Sequence, residues 1–286
     1  MPVEYAVNGP AKIAYETFGT GGEPLLLVLG LDYQMVWWDD AFCERLVDAG
    51  FHVARYDNRD TGLSTHFPQP AGGSPWRALL GGTKPVYTMA DMVDDGLAVM
   101  DALGWTAAHV IGGASAIAQG MALLHPARVR GLTLCMSSPA TAGILRTLRY
   151  LKFGIFREFR KLPKATTPEQ EIDNMVRLYR AQASPGYPFP AEWVRQVATL
   201  SHHRAPNNPG TTQRHLAAGR ATKLPPLSGL TVPTLVVAGA EDPMLKPSAG
   251  RDLAAQIPGA RLVEYPGVGH DWPEGIWDDV ISRMPR

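Results

Sequence analysis

The stretch His109-Val110-Ile111-Gly112-Gly113-Ala114-Ser115-Ala116-Ile117-Ala118-Gln119 decides the fold. A short apolar run stops at two glycines, a turn of small residues follows, and a helical pattern then runs from Ile117 to His125. A strand that feeds directly into a helix is half of a crossover unit. The same alternation extends outward in both directions. Leu25-Leu26-Leu27-Val28-Leu29 is a fully buried strand ending at Gly30, and Phe42 to Ala49 is a helix stopped by Gly50. Phe51 to Tyr56 is the next strand, running into the turn Asp57 to Gly62. Thr88 is placed to cap a helix from Met89 to Leu103, with Asp91, Asp94 and Asp95 in its early turns. Leu132 to Met136, Thr234 to Ala238 and Ala260 to Tyr265 complete the strands. This pattern predicts an α/β protein with a mostly parallel, doubly wound sheet. Ligands of such sheets bind in the turns at the carboxyl ends of the strands.

The 286 residues carry 27 Lys+Arg against 27 Asp+Glu, without the basic excess of a nucleic-acid binder. With 45% hydrophobic residues the chain can bury one large core. The start, Met1-Pro2-Val3-Glu4, has no basic region ahead of an apolar stretch, and no apolar run approaches the roughly 18 residues of a membrane span. A soluble, cytoplasmic protein is therefore expected, with a small-molecule substrate and neither nucleic acid nor membrane as partner. Cys43 and Cys135 are too few and too far apart for a disulfide framework or a zinc site, and no metal or organic cofactor is indicated.

Charge is unevenly spread. From Thr141 to Leu224 there are 14 Lys/Arg and 5 Asp/Glu, and Pro225-Pro226 closes the stretch. The break predicts an insertion, a helical lid over residues 139–224, in a core made of residues 1–138 and 225–286. Leu145, Leu148, Leu151 and Ile155 fall at helical spacing with Arg146, Arg149 and Lys152 between them, the pattern of a helix with one apolar side. Such a helix either closes a pocket or, less often, lies on an anionic membrane surface. Tyr150, Phe153, Phe156, Tyr179, Tyr187, Phe189 and Trp193 offer faces for a flat polycyclic ligand or serve as the insertion's own core.

Four turns carry the chemistry. Gly239-Ala240-Glu241-Asp242-Pro243 presents a carboxylate, and Gly267-Val268-Gly269-His270-Asp271 an imidazole on a mobile glycine-rich loop. Leu29-Gly30-Leu31-Asp32 leaves the first buried strand, and Gly112-Gly113-Ala114-Ser115-Ala116 joins strand to helix. An elbow, then an acid, then a histidine is the chain order of one type of nucleophilic triad. His109, His125, His202 and His203 read as structural, and Asp57 and Arg59 as braces of their turn. Ser137 and Ser138 end a strand near the site.

On these residues the chain resembles the α/β-hydrolase fold family, and within it the aclacinomycin-methylesterase-like branch that acts on polyketide antibiotics. The resemblance rests on Arg55 to Ser64, Ile117-Ala118-Gln119 with His125-Pro126, Val232 to Val236 with Glu241-Asp242-Pro243, and Pro266 to His270. It implies Asp242 as the acid and His270 as the base. It also implies an oxyanion hole made by the backbone N–H of Leu31 and that of the residue after the nucleophile, Ser115. Gly30, Asp32, Trp37 and Trp38 are the implied substrate contacts, and ester hydrolysis on a hydrophobic, aromatic, polyketide-like molecule the implied activity. Leu29 stands where many relatives have histidine.

The elbow departs from the family pattern. A nucleophile elbow needs small residues two positions either side of the nucleophile. Around Ser115 those are Gly113 and the β-branched Ile117; around Ala114 they are Gly112 and Ala116. Sterics therefore put the nucleophile position at Ala114, which has no hydroxyl. Counting back from Ile117-Ala118-Gln119 disagrees, because this stretch is about two residues shorter than in relatives. Three accounts stay open. Ala114 stands in for a removed serine; Ser115 serves through an altered turn; or covalent catalysis has been given up and the His270–Asp242 pair acts as a general base in a lyase, decarboxylase or cyclase. A ligand-binding protein without activity is the remaining alternative.

Overall fold

The computed structural model describes residues 2–68, 77–78, 80, 82–205 and 210–285. Eight strands form one sheet: β1 (Glu4–Asn8), β2 (Ala11–Phe18), β3 (Glu23–Leu29), β4 (Phe51–Tyr56), β5 (Ala108–Gly113), β6 (Val129–Cys135), β7 (Thr234–Gly239) and β8 (Arg261–Tyr265). Their spatial order is β1-β2-β4-β3-β5-β6-β7-β8. From β4 onward all neighbours are parallel; β1 and β2 form an antiparallel hairpin on one edge, and β2 pairs antiparallel with β4. Every apolar run read as a strand is a strand, and most extend one to three residues further. The hairpin was not anticipated.

The sheet is covered on both faces, and strand periodicity shows how. Leu26 and Val28 of β3 pack into one layer with Met92 and Val93 of α2 (Met89–Ala102), Met121 of α3 (Ala116–Leu124) and Leu253 of α9 (Pro247–Gln256). Leu25 and Leu27 point the other way, to Phe42 and Leu46 of α1 (Asp40–Asp48) and Val280 of α10 (Trp277–Arg283). Successive side chains on a strand alternate faces, so an unbroken apolar run is what a sheet buried on both sides requires. Thr88 caps α2 as expected, in a reciprocal capping box with Asp91.

Between β6 and β7 the described residues form five α-helices: α4 (Ile144–Tyr150), α5 (Gly154–Arg160), α6 (Pro168–Gln182), α7 (Ala191–Arg204) and α8 (Thr211–Ala221). The single amphipathic helix expected around Leu145 to Ile155 is instead two short ones. Leu151 leaves the helix to bridge Leu245, and the Lys152 N–H donates to the Met244 carbonyl at 2.8 Å. Leu145 is 78% exposed, so its apolar character does not mark the inner side.

Buried ion pairs fasten this inserted segment to the turn after β4. Asp60 takes a two-pronged bond from Arg214 of α8 at 2.6 and 3.0 Å, and Asp57 one from Arg204 of α7 at 3.0 Å. Asp57 also accepts from the N–H groups of Met35 and Leu63, and Arg59 pairs with Asp95 at 2.6 and 2.7 Å. Asp57 and Arg59 are thus braces. Removing one member of such a buried pair typically costs about 3–5 kcal/mol, because its partner is left charged and dry. Among the described residues no helix is long and apolar enough to cross a membrane.

Candidate active site

Five strand ends converge on one cavity. Leu29 and Gly30 after β3, Gly113 to Ala116 after β5, Cys135 to Ser138 after β6, Met244 and Leu245 beyond β7, and His270 to Trp272 beyond β8 all line a space of about 330 Å³. Tyr179 and Gln182 of α6 close it from the inserted segment. Trp37 and Trp38 are both buried and both line the cavity, as does Gly30. Asp32 does not. Its backbone is left-handed (φ +66°), its carboxylate accepts from Thr212 of α8, and its side chain lines a different hollow with Gln34 and Asn174. The expected substrate contact at Asp32 is corrected accordingly: the turn after Leu31 sends that side chain away from the cavity, and Tyr33 lines it instead. Of the aromatic residues considered in the insertion, only Tyr179 reaches this cavity, while Phe153 is mostly exposed.

The imidazole and the carboxylate meet, although 27 residues separate them in the chain. His270 Nδ1 lies 2.6 Å from Asp242 Oδ2. The other oxygen, Asp242 Oδ1, accepts from the N–H groups of Met244 and Leu245 at 2.7 and 2.8 Å. Asp242 is positioned to accept from Nδ1–H, the tautomer in which Nε2 carries the lone pair that a base needs. Both side chains are nearly buried, the imidazole 9% exposed. Lys152 donates to the backbone carbonyl of Asp242 at 2.6 Å, a link from the inserted segment.

The histidine loop is tied to the inserted segment through its backbone. The His270 N–H donates to the Gln182 carbonyl at 2.8 Å, and the Gly269 N–H to Ser184 Oγ at 2.8 Å. Gly186 in turn donates to the Gly267 carbonyl at 2.9 Å. The glycines serve close approach: a Cβ on Gly267 (φ +74°) would sit 2.8 Å from the Gly186 Cα, and one on Gly269 2.5 Å from the Gln182 carbonyl oxygen. Next to His270, Asp271 accepts from the Ser184 hydroxyl, and burial raises its pKa above the ordinary carboxylate value. Burial likewise pushes the Tyr33 phenol up to about 12 and raises that of Tyr179.

At the end of β5 the sharp turn falls on Ala114. Its φ is +48°, a left-handed value that costs a residue with a Cβ about 1–2 kcal/mol, and its N–H donates to the Cys135 carbonyl at 2.8 Å. A Cβ at Gly112, two residues before, would sit 2.5 Å from the Ala118 Cβ, which is the steric reason for a small residue there. Ser115 has ordinary extended dihedrals and is fully buried. Its hydroxyl caps α3, accepting from the Ala118 N–H at 3.3 Å. On the facing turn, a Cβ at Gly30 would lie 2.5 Å from the Ala114 carbonyl oxygen, so the two backbones touch one residue before Leu31 and Ser115. Gln119 was part of a motif whose purpose the sequence did not disclose. It bridges the turn after β6, donating to the Ser138 carbonyl at 2.9 Å and accepting from the Ala140 N–H at 2.8 Å.

A mostly parallel sheet whose strand ends deliver an elbow, a buried acid and a histidine in that chain order defines a hydrolase-type α/β enzyme. The sequence model of the α/β hydrolase fold family matches residues 24–272, and the chain belongs to that family. It is 29% identical to the rhodomycin D methylesterase DnrP of Streptomyces peucetius, over 99% of this chain and 97% of that protein. It is equally 29% identical to the rhodomycin D methylesterase DauP of Streptomyces sp. strain C5, with the same coverage of each chain. Among solved structures, a hydrolase from Pseudomonas aeruginosa superposes with a TM-score of 0.67 at 25% identity, covering 98% of this chain and 97% of its own. An esterase from a Rhodococcus species reaches a TM-score of 0.71 at 18% identity, covering 99% and 97%.

Proposed function

We propose that the chain hydrolyses the methyl ester of a flat, largely apolar aromatic molecule of the polyketide kind, without forming an acyl-enzyme. The observation that carries this is Ala114 at the strained elbow of a cavity that also holds a paired His270–Asp242. On this reading a triad at the elbow lacks only its hydroxyl. His270 Nε2 takes a proton from water as the water oxygen attacks the ester carbonyl carbon. The N–H groups of Leu31 and Ser115 donate to the oxygen that becomes negative. Collapse of the tetrahedral species breaks the bond to the methoxy oxygen, which receives the proton from Nε2–H, so methanol and a carboxylic acid leave. Asp242 holds the ring in the needed tautomer throughout. Helices α4 to α8, spanning the basic insertion of residues 139–224, act as the lid that excludes bulk water. The methylesterase names of the relatives and the aromatic walls contributed by Trp37, Trp38 and Tyr179 support the substrate class.

A second reading is favoured by the same missing hydroxyl. The pair would then move a proton on the substrate itself, in a decarboxylation, elimination or ring closure. Product analysis separates the two. With methyl anthraquinone-2-carboxylate in ¹⁸O-water, hydrolysis releases methanol and puts the label in the acid. His270→Ala should lower that rate by about 10²–10⁴-fold, the usual worth of a positioned base. Turnover that leaves the methyl ester intact, or releases carbon dioxide instead of methanol, overturns hydrolysis in favour of the second reading.

A further inference from the structure

The cavity has a second lobe, of about 240 Å³, that shares Gly30, Ala114, Ser115 and Ser138 with the first. Met92, Ile117 and Ile144 give it an apolar wall, and His270 does not reach it. It contains one buried polar ring, His215 of α8, only 2% exposed. His215 Nε2 lies 2.8 Å from the Arg59 carbonyl oxygen. A carbonyl only accepts, so Nε2 carries the hydrogen, and the neutral ring then has an acceptor lone pair on Nδ1. That Nδ1 is buried and has no hydrogen-bond partner among the described residues. Folded proteins leave very few buried polar atoms unpaired, and those they do leave call for an explanation.

The surroundings say what kind of group would pair with it. Asp32, a buried carboxylate, also has one oxygen, Oδ1, without a partner among the described residues, but its side chain lines the other hollow. Arg214 is engaged by Asp60 through Nε and Nη2, its buried Nη1 is without a partner among the described residues and does not line the lobe, and Arg220 is exposed at the lobe's rim. The unpaired ring acceptor and the apolar wall of the lobe suit a neutral hydroxyl donor. We infer that His215 Nδ1 is a specificity-determining acceptor for a hydroxyl on an otherwise apolar substrate, held in the lobe beyond Ala114. This rests on the reading above that the cavity holds the substrate.

The probes are methyl 6-hydroxy-2-naphthoate and methyl 2-naphthoate, with affinity read from quenching of tryptophan fluorescence. The wild-type chain should bind the hydroxylated ester about tenfold tighter, the worth of one hydrogen bond that the plain ester cannot make. His215→Leu removes the ring acceptor, and its melting temperature is read alongside because the Arg59 carbonyl loses its donor. It should abolish the preference while leaving affinity for the plain ester within about twofold. Ile144→Trp, from the half-buried opposite wall, fills the lobe without altering His215 and should abolish the preference independently. Equal binding of the two esters by the wild type, or a preference that survives both substitutions, overturns the assignment of His215 alone. So does a folded His215→Leu weakening both esters alike. If neither ester binds the wild type, both the assignment and the reading of the cavity fall together.

Discussion

Replacing Ala114 by serine is the sharpest test of the elbow. The backbone strain at φ +48° is already borne by the alanine Cβ, so serine adds only a hydroxyl facing a cavity of about 330 Å³. Stability should change by less than about 1 kcal/mol. The new hydroxyl enters a site where His270 is already oriented by a 2.6 Å bond to Asp242, so the base it needs is in place. A nucleophile activated in this way opens a covalent route that water attack lacks. A gain of at least about 100-fold in kcat/KM, or roughly 2.7 kcal/mol of transition-state stabilisation, is expected on p-nitrophenyl butyrate. The assay is stopped-flow release of nitrophenolate. Ala114→Ser should show a burst equal to the enzyme concentration, and mass spectrometry should find the butyryl group on the peptide carrying position 114. The double variant with His270→Ala should fall back to the level of His270→Ala alone, because base and nucleophile act as a unit. A well-folded Ala114→Ser with no burst and no gain, or a gain that survives loss of the imidazole, would refute the assignment of the elbow to position 114.

Other substitutions probe the supports of the site. Asp242→Asn removes the negative charge that fixes Nδ1–H and should lower kcat by on the order of 10³-fold with little change in KM; steady-state kinetics decide it. Gly267→Ala places a Cβ 2.8 Å from the Gly186 Cα at a left-handed residue. It should destabilise the fold by at least about 1–2 kcal/mol, visible as a lower denaturant midpoint. Asp271 has a folded pKa raised by burial, so the native state holds that proton more tightly than the unfolded chain does. Its contribution is most favourable below the unfolded value near pH 4 and is lost as pH rises through the folded pKa. Asp271→Asn, which keeps an acceptor for Ser184, should therefore raise the melting temperature more at pH 8 than at pH 4; the opposite trend would show the sign to be wrong.

The parallel strands and their terminal turns were legible because burial on both faces imposes unbroken apolar runs, and Leu25 to Leu29 admits no other reading. Asp242 and His270 were legible because their turns follow such strands. Gly112 must be small because Ala118 lies against it, and the left-handed residue is Ala114. The β1–β2 hairpin was missed because β1 is largely exposed and carries no apolar run. Its turn did leave a signal, since Asn8-Gly9 with Gly9 at φ +56° suits a tight hairpin connection. Leu145 to Ile155 misled because spacing alone cannot tell a buried stripe from one interrupted at Leu151 by pairing with Leu245. His215 was invisible for another reason. Its partner, the Arg59 carbonyl, lies 156 residues away in the chain, and no local pattern records so distant a contact.

The backbone-to-backbone seam between Gly186 and Gly267 has one further consequence. Because the backbone N–H of His270 donates to the Gln182 carbonyl across the same seam, any shift of the stretch from Gln182 to Gly186 must also shift the residue that carries the imidazole. Occupancy and the position of the ring are thereby geared together. The ring protons of His270 should accordingly serve as a resonance gauge of whether the enclosure is open or shut.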